Sequence, residues 1–321
     1  MTIDRSSWWW RKGRAALMIA VSLLAAGVVA EPLQTAAWAP VRASLPEFQP
    51  QDLGDNLGQG TLLGMFGGFR TILADFVWLR GYVYWEQRDL PNAVTMINLA
   101  TTLEPRTTLF WETGAEIIAY DLPSWTMNEL ANDLNSPDAA TRAAAQAKWD
   151  QSQHDEALHA IAFLERGLKF HTDDYELHMT EALIYEKRLD DLPRAAEQYR
   201  LAAEVATAQS QRDPKNARSP YLPVHLYIRK LLAMGNQWAV KGNQRAATGY
   251  QREAYDYLRQ IYPTLPASTN DSQKGVMSDW MRLLEKLLNL PHDPSPQFAP
   301  PAGWQPAPDA EYMMDFYPDE K

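Results

Sequence analysis

ADFVWLRGYVYWEQRDLPNAVTMINLATTLEPR, residues 74–106, is the stretch whose reading decides the fold. Its first part belongs to an apolar-rich run that predicts a helix from about Phe69 to Gln87. That helix is apolar almost all round, the pattern of a helix buried on more than one side. Arg88-Asp89 then makes a short turn, and a second helical run stops at Pro105. Asp89 is placed to cap the second helix, and Pro91 falls in its first turn, where a missing N–H breaks no helical bond. The stretch is one helix–turn–helix unit of about 34 residues.

The unit recurs. Tyr185-Glu-Lys-Arg, Asp191-Leu-Pro-Arg-Ala195 and Leu201-Ala202 copy Tyr84-Trp-Glu-Gln-Arg, Asp89-Leu-Pro-Asn-Ala93 and Leu99-Ala100. Ala93 and Ala195 are 102 residues apart, as are Ala100 and Ala202, and 102 is three such units. A third Asp-Leu-Pro, Asp121 to Pro123, follows Trp111, Gly114 and Tyr120, as a degenerate second unit would place it.

On these residues the chain resembles the tetratricopeptide repeat (TPR) superfamily. Counted from Ala74, the family's small residue in helix A falls on Gly81 and its aromatic on Tyr84. Its two alanines in helix B fall on Ala93 and Ala100, and its closing proline on Pro105. Val77 and Arg80 depart from the family's usual Trp and Leu. Gly235, Trp238, Ala247 and Ala254 fit the same places in a later unit without a gap. The small residues act sterically, because a bulky side chain at a helix crossing would hold apart backbones that approach to about 8–10 Å. The expected fold class is therefore all-α, a TPR-like α-solenoid over residues 61–290.

Outside the marked pairs the expectations are coarser. A second unit spans about Thr107 to Leu134. Asn135-Ser136-Pro137-Asp138 starts an exposed, alanine-rich helix reaching Asp150, inserted before a third pair that ends in Leu164, Gly167 and Leu168. Residues 207–220 read as a loop with Asp213-Pro214 and Ser219-Pro220, and helices follow at about 223–240, 244–262 and 273–290. In the last, Val276, Trp280, Leu283, Leu284 and Leu287 form a stripe that would cover the end of a solenoid. Residues 291–321 are proline-rich and acidic, with isolated Trp304, Tyr312, Phe316 and Tyr317, and read as a disordered tail able to dock as a linear motif.

Residues 1–30 read as a signal-anchor or signal peptide. Arg5, Arg11, Lys12, Arg14 and Trp8-Trp9-Trp10 precede Ala15–Ala30, a run without charge. Sixteen helical residues span about 24 Å, short of the roughly 30 Å hydrocarbon core, and Val28-Val29-Ala30 suits cleavage. Interfacial tryptophans and arginines instead suit a short anchor, and this is the reading we favour. Either outcome leaves the basic end inside and sends the body across the membrane. Residues 31–60 are a linker with Pro32, Pro40, Pro46 and Pro50. The glycines from Gly54 to Gly68 have neither dinucleotide nor phosphate-loop spacing, so they read as a turn or close packing at the entrance to the first long helix.

Composition narrows the chemistry. The chain has no cysteine, which removes disulfides, thiolate metal sites and cysteine nucleophiles. Residues 15–321 carry 26 basic and 39 acidic side chains, net −13, so no nucleic-acid partner is expected. His154 and His159 are five apart, about 140° round a helix, where the zinc-protease helix needs four. Asp173-Asp174 and Asp190-Asp191 fall in predicted turns and read as helix caps. No catalytic residue, metal or cofactor is nominated, and the expected protein is not an enzyme.

The informative constellation is aromatic. The resemblance implies that Asp75, Trp78, Tyr82 and Trp85 face a concave partner-binding groove, followed by Glu176, Met179, Leu183 and Glu186, and then by Arg229, Leu232, Asn236 and Ala239. Their i, i+3, i+7, i+10 spacing does put each set on one helix face. The alternative is a stripe filled from within by the Gln51–Phe69 segment or by the membrane surface. The function expected is a scaffold or adaptor that binds a protein partner, in a membrane-associated complex reached through the N-terminal segment. The compartment expected is a bacterial inner membrane with the body facing the periplasm, or the periplasm itself after cleavage. Self-association as a structural subunit of a cell-envelope complex is the runner-up, and an exported enzyme on a helical scaffold comes third.

Overall fold

The computed structural model describes residues 70–213 and 218–305. The signal or anchor segment, the linker, the glycine cluster, and the tail beyond residue 305 lie outside the described residues. Among the described residues every regular element is helical, and no helix is long and apolar enough to cross a membrane. The chain divides into two compact units, Met1–Gly114 with Lys169–His171, and Ala115–Leu168 with Thr172–Lys321.

In the first unit α1 (Arg70–Glu86) and α2 (Leu90–Leu103) pack on each other. Gly81 sits where they cross, and a Cβ placed there would lie 3.0 Å from Cβ of Met96. Ala74, Ala93 and Ala100 are fully buried at the same contact, so small side chains let the backbones approach. The unit's core gathers Ala74, Ala100, Leu103 and Phe110, with Leu73, Val77, Trp78 and Leu99 packed around it.

The turn between α1 and α2 closes on backbone bonds. Arg88 N–H donates to Trp85 O at 2.9 Å and Asp89 N–H to Tyr84 O at 2.9 Å, with Arg88 left-handed at φ 57°. This pairing satisfies carbonyls that a helix end leaves open. A non-glycine residue in that region is strained by about 1–2 kcal/mol. Arg88→Gly is therefore expected to stabilise the chain by about 0.5–1 kcal/mol, since glycine's larger unfolded entropy offsets part of the relief. A higher urea midpoint for Arg88→Gly and an unchanged one for Arg88→Ala would bear this out.

The second unit begins within α3 (Thr108–Glu116) and continues through a π-helical turn, Ile117–Asp121, into α4 (Leu122–Glu129) and the short α5 (Ala131–Leu134). Next come α6 (Ala139–Leu168), α7 (Tyr175–Lys187), α8 (Leu192–Arg212), α9 (Tyr221–Val240), α10 (Gln244–Ile261) and α11 (Asp271–Leu287). From α7 to α11 each helix packs on the next in chain order.

Local chemistry sets these boundaries. Asp174, Asp191 and Asn243 each accept a hydrogen bond from a first-turn N–H, and Asn270 with Gln273 forms a reciprocal capping box. One residue of each acidic pair thus caps a helix as the sequence predicts, whereas Asp89, expected to cap α2, makes no side-chain capping bond to it. The α1 turn recurs after α9, where Gly242 has φ 78° and Asn243 N–H donates to Trp238 O. It recurs again after α11, where Asn289 has φ 52° and Leu290 N–H donates to Glu285 O. After α7 the turn is one residue longer, with Asp190 left-handed and Asp191 N–H reaching Tyr185 O at 2.9 Å.

Three sequence expectations meet a different structure. Asp121-Leu122-Pro123 is no inter-helix turn, because the chain stays helical through it. Leu122 N–H reaches back to Ile117 O, and this one-residue widening lets in Pro123, which has no N–H to donate. The inserted helix and the end of the third pair are one 30-residue helix, α6. Its N-terminal half is exposed apart from Ala145 and half-buried positions, and burial resumes at Ala157, Ala160, Ile161 and Leu164. Finally, α8 runs to Arg212, into the stretch read as a loop. Residues 214–217 lie outside the described residues.

Candidate functional site

The α1 residues separate by depth. Trp78 stacks on Phe110, with ring centroids 4.8 Å apart and planes 22° apart, so its indole belongs to the first unit's core. Tyr82, 50% exposed, stacks on Trp85 at 5.1 Å. Asp75 is exposed. The face expected as one aromatic groove is thus an exposed Tyr82 on a half-buried Trp85, beside a half-buried Trp78 packed against the core. On the same helix Arg80 donates to Tyr84 Oη at 3.1 Å, and near its N-terminal end Thr71 Oγ1 donates to Glu104 at 2.7 Å.

Sequence reasoning missed a second stripe on the same helix. Ile72, Phe76 and Leu79 are 51%, 66% and 60% exposed, at i, i+4 and i+7, which is one helical face. The signal was the all-round apolarity of α1, read as burial on more than one side. An apolar face this continuous is uncommon on a surface that meets only water.

The second set of candidates is mostly not a surface. Along α7, Met179 is buried, and Glu186 is 9% exposed at its side chain. Leu183 alone is exposed, and Glu176, half-buried, pairs with Arg218. The physical reason is crowding, since α7 is packed by α6 and by α8, and nine of its thirteen residues are buried, too many for an open groove face. Of the third set, Leu232 is buried, Arg229 half-buried, and Asn236 and Ala239 exposed.

What Glu186 does instead is electrostatic. Its carboxylate accepts from Lys230 Nζ at 2.9 Å, from Lys187 Nζ at 2.9 Å and from Tyr199 Oη at 2.8 Å. Lys230 comes from α9 with 4% side-chain exposure, and Tyr199 from α8 is fully buried. One carboxylate therefore joins three helices. Burial pushes its pKa up, but the bonds from Lys230, Lys187 and Tyr199 outweigh burial and hold it below the usual range. Tyr199 is pushed far above an ordinary phenol, by burial first and by Glu186 second.

Two residues on from Met179, Glu181 is 2% exposed. Its Oε1 accepts from Gln198 Nε2 at 3.1 Å, Gln198 Oε1 meets His178 Nδ1 at 2.7 Å, and Glu181 Oε2 has no hydrogen-bond partner among the described residues. Burial, then the Glu165 charge, pushes its carboxyl up to about 7. His154 and His159 are exposed, and His171 Nε2 lies 2.8 Å from Pro105 O.

Fold and site together define a class: a protein all-helical over its described residues, whose helices pack in chain order from α7 to α11, with exposed aromatic and aliphatic side chains on its first described helix. No family model matches the chain, and no curated protein matches it.

Proposed function

We propose that this protein is a TPR-like α-solenoid held at a membrane by residues 1–30, whose body is a non-enzymatic scaffold for a protein partner. The observation that carries the reading is α1, where Tyr82 and the Ile72, Phe76, Leu79 stripe are exposed and a half-buried Trp85 stacks on Tyr82. Large aromatic and aliphatic groups with polar edges are what interface anchors are made of. The solenoid reading draws support from Gly81 over Ala93 and Met96 and from Gly235 over Ala247 and Tyr250, two crossings that admit no larger residue without a shift. It also draws on the matching turns after α1 and α9. A groove along rigid stacked helices would cost little ordering on this side of the complex, and a membrane anchor would raise the effective concentration towards a membrane-bound partner.

The test separates surface from core. Tyr82→Ala with Trp85→Ala is expected to lower partner co-purification from crosslinked membranes about tenfold or more, leaving helical content unchanged. Trp78→Ala is expected to cost about 2–3 kcal/mol of stability, because it removes a ring from a packed stack. Unchanged capture by the Tyr82/Trp85 double variant would overturn the reading of α1.

A further inference from the structure

Composition led us to expect a disordered tail from Pro291, yet residues 291–305 are seated on the last two helices. After the α11 turn the described residues make no further helix apart from a three-residue 3₁₀ turn, Pro296–Phe298. Its anchors are single side chains spaced along a mostly extended strap. Asp293 pairs with Arg259 at 2.7 Å, and the Phe298 ring lies 4.1 Å from the same guanidinium. The carbonyl of Ala299 accepts from Tyr262 Oη at 2.9 Å. His292 Nδ1 lies 2.8 Å from Glu285 Oε2.

Trp304 occupies a built slot. A Cβ placed on Gly275 of α11 would fall 2.2–2.4 Å from three atoms of the indole, so the ring lies directly on the helix backbone. One helical turn on, Asp279, itself 2% exposed, accepts from Trp304 Nε1 at 3.1 Å. A glycine inside a helix costs about 1 kcal/mol relative to alanine, and here the space it leaves is filled by an indole. A buried carboxylate oxygen aimed at the ring N–H completes recognition of tryptophan over phenylalanine, which has no such donor.

We propose that the α10–α11 face is a receptor site for an extended peptide carrying a carboxylate, a phenyl ring five residues later and an indole six beyond that, and that residues 291–305 are its resident, displaceable ligand. The receptor helices are complete without the strap. Asn243 and the Asn270–Gln273 box cap their N-termini, and the Asn289 turn closes α11 before Pro291. A strap that contributes side chains and no long helix can leave without unfolding what it covers. While tethered it competes at an effective concentration of about millimolar, so a partner peptide enters only when the strap is released. The biological role of that partner rests on the scaffold reading above, but α1 and this slot are separate surfaces and their tests fail separately.

The probe is a fluorescein-labelled peptide of residues 291–305, titrated by anisotropy into full-length protein. Wild type is expected to bind it at least tenfold more weakly than the full-length variant Phe298→Ala/Trp304→Ala, whose own strap has lost two anchors. Adding Gly275→Ala to that variant is expected to weaken binding again by tenfold or more. Alanine favours the helix, so melting should hold or rise and unfolding would not account for the loss. A peptide carrying Trp304→Ala should not bind. Absence of binding to the Phe298→Ala/Trp304→Ala variant with helical content intact overturns the proposal, as does binding indifferent to Gly275→Ala.

Discussion

Lys230→Met lowers the stability of the second unit by about 3–5 kcal/mol. The loss comes from what stays behind. Lys230 and Glu186 are both nearly excluded from water and 2.9 Å apart, so removing the ammonium leaves a buried carboxylate with Tyr199 Oη and the mostly exposed Lys187. A buried charge without its counter-ion is far more costly than a buried pair is favourable. Lys230→Met with Glu186→Gln is therefore expected to recover most of the loss, giving a coupling of about 3 kcal/mol or more in the double-mutant cycle. The pH dependence has a definite sign. Because the folded Glu186 pKa is depressed, its stabilisation is present above the ordinary carboxylate range and is lost as pH falls through the folded value. The gap between wild type and Lys230→Met should accordingly narrow in acid. Urea midpoints at several pH values measure this, and a gap of under 1 kcal/mol at neutral pH would show that the pair is dispensable.

Glu181→Gln is expected to act in the opposite direction and with the opposite pH dependence. The folded carboxyl titrates near 7, against 4.5 in the unfolded chain. The folded state therefore holds a proton that the unfolded state has released. Stability is full below about pH 4.5, falls as pH rises towards 7, and then levels off, with a loss of about 3 kcal/mol over the window. Glutamine keeps the acceptor for Gln198 and carries no charge to bury. At pH 8 the variant should be more stable by up to about 3 kcal/mol, raising Tm by roughly 6–10 °C, whereas at pH 4.5 the two proteins should melt together. A difference that did not change with pH would rule out titration of Glu181 as its source.

Both residues show how partial the sequence is as a guide to a site. Glu186 was legible as a residue at groove spacing on helix A, and the structure makes it the joint between α7, α8 and α9. Nothing local distinguishes the two roles, because Lys230 lies 44 residues away. Trp78 and Tyr82 were legible as neighbours on one face. Their different depths depend on Phe110, supplied by α3, which reaches Trp78 and leaves Tyr82 half in water. The strap is the clearest case. Proline and acidic residues describe a chain that does not form a long helix, which is true of 291–305, but whether it packs depends on a glycine and an aspartate presented one turn apart on α11.

The sequence by itself determined the helical class, several of the turns and caps, Asp174, Asp191 and Asn270 among them, and small residues at the helix crossings. These rest on interactions within a few residues: an Asp, Asn or Gly at a helix end, a proline in a first turn, a glycine or alanine at a crossing. Tertiary structure alone decided which aromatic rings were buried, that α6 is a single helix, that Asp121-Leu122-Pro123 is not a turn, and that Trp304 has a slot. Those outcomes depend on which surfaces compete for the same apolar side chain, and that competition is between residues far apart in the chain.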